Sequence, residues 1–357
     1  MAGFNNGTML SRYETWELDA LLSQIEKPDP WLLRTFFPRV KMFETRTIEF
    51  DLLDRGRRLA PFVSPMVSGK PMLREGFRTR QLSPAYIKPT GLVQPSDSFT
   101  RVPGEAYGGQ LSPQARFDRL VAEELARHDD MLTNRLEWMA ASALVYGQVA
   151  ITGDDYPTQL VQFGRDPNLN IVLAGASRWT QATSNPMQDI QNASLLVRRI
   201  SKGAIVTDLV MDGTTWDVLR ANAGVQNLIN IFFRNHAGTR ATEIDQGPRT
   251  TLNEAQYVGT LNGRLDMWVY DSYFQDDFGN DQPFIPPYTM LGIAKTAIEG
   301  TQYFGAILDL DAGIAPSRLF SKSKMKFDPS GLEIISQSAP LVAPKRPNAM
   351  FTIDVGP

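Results

Sequence analysis

Cysteine is absent from the 357 residues, and histidine occurs only twice. The first absence excludes a disulfide framework and a thiolate metal site. The second excludes a histidine-rich zinc centre. No apolar run approaches the roughly 20 residues a membrane helix requires, so no membrane partner is expected. The opening MAGFNNGTMLSRYETWELD has no basic stretch leading into an apolar one, so no secretory signal is expected. Catalytic signatures are missing too: there is no GxGxxG after a strand, no GxSxG and no HExxH. Val67-Ser-Gly-Lys-Pro71 resembles the end of a phosphate loop. However, Ser64 stands where the first glycine belongs and Pro71 where a magnesium-binding hydroxyl belongs.

The remaining polar groups do not assemble a site. His128 lies on an apolar helical stripe and is expected to be packed; His236 follows an apolar pair in a loop and is expected to be solvated. Asp276-Asp-Phe-Gly-Asn-Asp281 offers oxygen donors, but Pro287 occupies the place where a calcium loop closes with glutamate. A hairpin turn explains the Gly-Asn pair more simply. Asp309 and Asp311 read as a loop. No nucleophile, base and oxyanion donor come together. Neither enzyme activity nor a cofactor is expected.

What is present is an ordinary globular composition, 42% hydrophobic and 21% charged, with a net charge of -3. The charge is unevenly spread. Residues 14–30 carry Glu14, Glu17, Asp19, Glu26 and Asp29 against Lys27, a local charge of -4. Residues 55–101 carry nine arginines and lysines against Glu75 and Asp97, a local charge of +7. Each stretch could be a solvated face, or the two could meet between molecules.

Along the chain, residues 1–59 read as an arm. Within it, Glu14 to Ile25 has helical apolar spacing, and Thr47 to Leu52 alternates as a strand. Residues 60–105 hold seven prolines in 46 positions, yet include Phe62, Val63, Met66, Tyr86 and other groups that need burial. Proline removes backbone donors and confines such a stretch to edges and loops. An extended ribbon of this kind is marginal alone, so another surface must cover it. A long helix follows, with Ser112 as N-cap, Pro113 in its first turn and Gly147 as C-cap. Phe117, Val121, Leu125, His128, Leu132, Leu136, Met139 and Ala143 form its stripe, and Glu123 is placed to pair with Arg127. Further on, Asn185 caps a helix running to Gly203, Ala204–Met211 reads as a strand, and Asp212 opens a short helix. Leu265–Phe274 reads as a strand and Phe284–Ala294 as a second one returning after a turn, and Leu332–Ser338 and Ala349–Val355 read as two more strands separated by a proline-rich link.

This order of elements resembles the major capsid proteins of tailed bacteriophages, and more narrowly the lambda-type branch, the major capsid protein E family. The resemblance rests on Leu32-Leu-Arg-Thr-Phe-Phe-Pro38, Phe62-Val-Ser-Pro-Met-Val-Ser-Gly69, Ser83-Pro-Ala-Tyr-Ile-Lys-Pro89 and the Glu137-Trp-Met-Ala-Ala to Gly147 helix end. Ser336-Gln-Ser-Ala-Pro-Leu341 and Pro347-Asn-Ala-Met-Phe-Thr-Ile353 complete it. It spans about residues 17–355 and is weakest across 155–265, where only the element order agrees.

The resemblance implies an α+β tailed-phage capsid fold (Hong-Kong-ninety-seven-like). Residues 1–59 would be the N-terminal arm, 60–105 the extended loop, and 106–185 the peripheral domain with its spine helix. Residues 186–325 would be the axial domain and 326–357 the C-terminal strands of the peripheral domain. It further implies a structural protein that assembles with itself into hexamers and pentamers around packaged double-stranded DNA, which it contacts without sequence preference. The other implied partners are a scaffolding protein, a portal and a decoration protein. The expected location is the virion head, assembled in the bacterial cytoplasm. Because the arm motifs come within the first 40 residues, the scaffold is expected as a separate chain.

The expected contacts between subunits involve Glu14, Glu17, Asp19, Phe62, Val63, Met66, Lys70, Arg74, Arg78, Arg80, Tyr86, Lys88, Glu123 and Glu124. In particular, the acidic arm or Glu123 and Glu124 would face Arg74, Arg78 and Arg80 of a neighbour. Crosslinking through Lys70 or Lys88 and Asn348, as in another branch of such proteins, is disfavoured, because no buried glutamate is identified for it. The alternatives are an encapsulin-like or gene-transfer-particle shell, and a hydrolase with dispersed carboxylates.

Overall fold

The structure is a computed structural model. It describes residue 18, residues 30–53 except 46, positions 60, 62, 65, 66 and 68, residues 77–100 except 83, residues 111–225 except 154 and 155, and residues 255–356 except 262, 277 and 278. The Glu14–Ile25 helix, His236 and the tip of the 273–283 turn thus lie mostly or wholly outside the described residues. Leu18 is the exception, and it is helical and buried.

Five helices are named here: α1 (Trp31–Phe36), α2 (Pro113–Tyr146), α3 (Pro186–Ile200), α4 (Gly213–Ala221) and α5 (Lys295–Ile298). The sequence-derived caps explain where most of them stop and start. Ser112 Oγ accepts from the Ala115 amide at 3.2 Å, and Gly147 closes α2 in the left-handed region at φ 67°. Asn185 accepts from the Gln188 amide, and Asp212 from the Thr214 and Thr215 amides. Each satisfies amides that the first turn leaves without helical partners. At 34 residues α2 is a rod of about 50 Å. Every residue of its expected stripe, His128 included, is buried.

A mixed six-stranded sheet forms the centre. Its order is Asn170–Val172, Met350–Asp354, Thr289–Ile293, Asp208–Met211, Leu265–Val269 and Gln256–Leu261. The 208–211 and 265–269 strands run parallel; 289–293 runs antiparallel to both 208–211 and 350–354. The two central strands are buried at every position, as a sheet covered on both faces requires. Both α2 and α3 pack on Met350–Asp354.

A second sheet joins Arg39–Met42, Thr301–Phe304 and Pro340–Ala343, the first pair parallel. A third joins Phe320–Phe327, Ser330–Gln337 and Thr90–Val93. The rod α2 lies against all three sheets, so its stripe serves two cores. Its N-terminal half meets Leu18, Val93, Leu332 and Ile334; its C-terminal half belongs to the large central core.

Several expectations change in detail. The long strand expected over 265–274 breaks after Val269, because Tyr273–Gln275 turns out to form a separate hairpin with Asp281–Pro283. The expected 284–294 strand is only Thr289–Ile293, and it pairs with the central sheet rather than with its predecessor. Helix α3 stops at Ile200, not Gly203, and the strand expected from Ala204 begins at Asp208. The proline-rich link after residue 338 itself contains the strand Pro340–Ala343. Glu123 pairs with Arg119 at 3.0 Å rather than with Arg127, which approaches Glu124 at 3.9 Å.

Candidate functional site

Exposed large apolar groups lie, among other places, on the ribbon. Ile48–Leu53 and Phe77–Leu82 pair antiparallel over six residues, so the ribbon begins well before residue 60. Between these strands Phe62 and Met66 have essentially their whole side chains in solvent, at 105% and 95% exposure. A soluble chain rarely leaves two large apolar groups so open without a partner surface.

The chain returns from the ribbon onto its own body. Ile87 bridges Ser338, the Ser336 amide donates to Pro89, and Thr90–Val93 joins the Ser330–Gln337 strand. Tyr86 donates its hydroxyl to the Ala306 carbonyl at 3.0 Å and accepts from the Leu308 amide. Residues 84–93 therefore pack within the subunit, whereas Phe62 and Met66 do not.

The arm is held by a buried carboxylate. Asp129, Thr133 and Glu137 lie four apart on one face of α2, and each is no more than 3% exposed. Glu137 Oε1 accepts from the Leu32 amide at 2.7 Å and the Tyr270 hydroxyl at 2.8 Å; Oε2 accepts from the Leu33 amide at 2.8 Å. These are amides of the first turn of α1, which has no side-chain cap of its own. Burial, then the neighbouring Glu137 charge, push the Tyr270 hydroxyl well above the usual phenol range. Trp31 stacks on Tyr270 with ring centroids 5.6 Å apart. The end of α1 touches Gly300 so closely that an added Cβ would sit 2.2 Å from the Phe36 carbonyl oxygen. Beyond α1, Arg39–Met42 is an edge strand, with Val40 and Met42 more than half exposed.

The same polar row fixes a second segment. Arg318 pairs with Asp129 and donates to Thr133 Oγ1 at 2.7 Å. One residue before Asp129, His128 Nδ1 lies 2.9 Å from Ser336 Oγ and its Nε2 lies 3.4 Å from Glu124. At the other end, Arg165 donates to the Leu144 and Val145 carbonyls that α2 leaves open. Burial pushes that guanidinium down to about 10, so it is still charged at neutral pH.

The structure separates the expected contact residues into three groups. Phe62, Met66, Lys88 and Glu123 are exposed. Tyr86 and Glu124 are engaged within their own subunit, the latter against His128 and over Gly91. Glu14, Glu17, Asp19, Val63, Lys70 and Arg74 lie outside the described residues; Arg78 and Arg80 are placed only as backbone of the ribbon. Asn348 accepts from the Asp166 amide at 2.8 Å. Sequence reasoning missed Asp129, Thr133 and Glu137 as anchors. Their four-residue spacing beside an apolar stripe was the available signal.

Among the described residues no group of three or more histidines or carboxylates is placed to hold a metal ion, and no helix is long and apolar enough to cross a membrane. What the arrangement offers chemically is adhesion.

Comparison with known proteins agrees. The model of the family described as phage major capsid protein E matches residues 14–355. The major capsid protein of Enterobacteria phage phi80 is 28% identical over 352 residues, covering 96% of this chain and 99% of that protein. That of Escherichia phage lambda is 26% identical over 353 residues, covering 97% and 100%. In structure, the chain superposes on a crystal structure assigned to a prophage capsid protein of E. coli CFT073 with a TM-score of 0.73 at 20% identity, covering 97% of this chain and all of that one. The chain belongs to the phage major capsid protein E family, structural shell proteins of the phage head rather than enzymes.

Proposed function

We propose that this chain forms the icosahedral head of a tailed phage by assembling into hexamers and pentamers around double-stranded DNA. The exposure of Phe62 and Met66 beyond the 48–53/77–82 ribbon carries this reading. Their burial requires a surface that the subunit does not supply, and a neighbouring copy supplies it. Prolines keep the surrounding stretch from becoming a regular edge that pairs indiscriminately, and they lower the entropy lost on docking.

In this reading residues 1–47 act as the arm, and the ribbon with the chain between its strands is the extended loop. The peripheral domain is α2 with the 90–93, 320–327 and 330–337 strands; the axial domain is the six-stranded sheet with α3 and α4. The acidic Glu14, Glu17 and Asp19 and the exposed Glu123 meet Lys70, Arg74, Arg78 and Arg80 of a neighbour, with Lys88 at the margin. A separate scaffolding protein directs assembly in the host cytoplasm, a portal occupies one vertex, and a decoration protein binds the outer face. The DNA inside is held without sequence preference, in keeping with a net charge of -3.

The test is co-expression with a scaffolding protein, followed by negative-stain microscopy. Closed shells are expected. Arg74, Arg78 and Arg80 changed together to Glu should leave a soluble folded subunit that forms none. A monomer that forms no particle with its scaffold would overturn the reading.

A further inference from the structure

Helix α3 and the start of two central strands enclose a cavity of about 310 Å³. Its lining includes Leu195 and Arg198 from the helix, Ile205 before the 208–211 strand, and Arg264 and Leu265 at the start of the next. Leu195 and Ile205 are exposed apolar groups at 62% and 43%. Arg198 and Arg264 are exposed, and neither has a carboxylate partner among the described residues. The groove is thus apolar at its base and positive at its rim.

The opposite character occurs in the same domain. Residues 271–281 contain four aspartates and no lysine or arginine. Tyr273–Gln275 pairs with Asp281–Pro283 as a hairpin, in which Phe274 packs on Phe284 of its own body at 5.1 Å while Tyr273 is 61% exposed. Asp281 is exposed, and the half-buried Asp276 accepts from the Asn280 amide at 2.8 Å and from the Asn280 side chain at 3.3 Å within the turn, which leaves its charge on the hairpin.

Topology keeps the two apart within one molecule. The 208–211 and 265–269 strands are adjacent and parallel. The groove lies where they begin, and the hairpin follows where the second one ends. A five-residue strand, about 17 Å, and the connecting residues separate them. Two complementary and different surfaces set apart on one subunit suit a head-to-tail contact, the kind that closes rings.

We propose that the Leu195–Arg198–Ile205–Arg264 groove receives the Tyr273–Asp281 hairpin of the next copy around each ring. The inference rests on the shell reading above. Tyr273 covers Leu195 and Ile205, and Asp276 and Asp281 meet the two guanidinium groups. Because every copy gives one hairpin and one groove, the contact repeats without a free end.

The test uses charge reversal on the full chain with its scaffold. R198E/R264E and D276K/D281K should each lower shell yield at least tenfold by sedimentation, with the circular dichroism of the subunit unchanged. Mixed one to one, the two variants should recover six-membered rings by alternating, but not five-membered ones, since an odd ring leaves one like-charged contact. The cysteine-free chain also permits a second measurement that leaves all four charges in place. Ile205→Cys with Tyr273→Cys, treated with a short bismaleimide, should give an oligomer ladder up to six on denaturing gels of assembled particles. Single bands from intact shells, or reversal variants that assemble as the parent does, would overturn this contact while leaving the shell reading standing. Failure of the parent chain to assemble would instead remove the shell reading.

Discussion

Glu137→Gln is the sharpest perturbation of the arm. The substitution keeps the side chain's size and removes its charge. Oε1 takes the Leu32 amide and the Tyr270 hydroxyl, and Oε2 takes the Leu33 amide. A glutamine has one carbonyl for these two positions, so its NH₂ is turned toward one of the two amides, donor against donor. A hydrogen bond to a charged group contributes about 1.5–3 kcal/mol. At about 1.4 kcal/mol per factor of ten, native-state hydrogen exchange at one of the two amides, Leu32 or Leu33, should quicken roughly ten- to hundredfold. Glu137→Ala should expose both amides equally. Amides of a first helical turn have no helical acceptor, so protection at these two positions reports the carboxylate and little else. Unchanged protection at both Leu32 and Leu33 in E137Q, in a subunit that remains folded, would refute the anchoring argument.

Three further outcomes are expected. Gly300→Ala must displace the end of α1, since its Cβ would meet the Phe36 carbonyl at 2.2 Å; overpacking of this kind costs about 1–3 kcal/mol, readable as a lower urea midpoint of the unassembled subunit. Arg318→Met strands the buried Asp129 carboxylate. The expected loss is about 3 kcal/mol, the low end for a broken buried pair, because the guanidinium is partly open to solvent; R318M/D129N should recover part of it in the same urea titration. Burial lowers the His128 pKa below its ordinary 6.5, against the raising effect of Glu124 and with the lowering effect of Arg127. The unfolded chain thus binds this proton more readily, so the stability contributed by neutral His128 is complete above pH 6.5 and declines as pH falls toward the lowered value. Melting temperature measured across that window should fall more steeply for the parent than for His128→Gln.

The legible parts of this protein were local ones. Ser112, Gly147, Asn185 and Asp212 fix helix ends through bonds to residues no more than four away, so the bounds of α2 and the starts of α3 and α4 could be read directly. The stripe from Phe117 to Ala143 likewise follows from helical period alone. The missing motifs for catalysis and metal binding needed no structure, and the arm, loop and C-terminal motifs together pointed to the family. Tertiary structure decided the pairings. Met350–Asp354 lies beside Thr289–Ile293, and Thr90–Val93 beside Ser330–Gln337, more than 230 residues away. A strand's alternation says that one face is covered, not by which neighbour. The same limit hid the roles of Glu137, Glu124 and Tyr86. Their residue types suit a wet surface, and only the approach of α1, the 90–93 strand and the 306–308 backbone turned each into an internal contact.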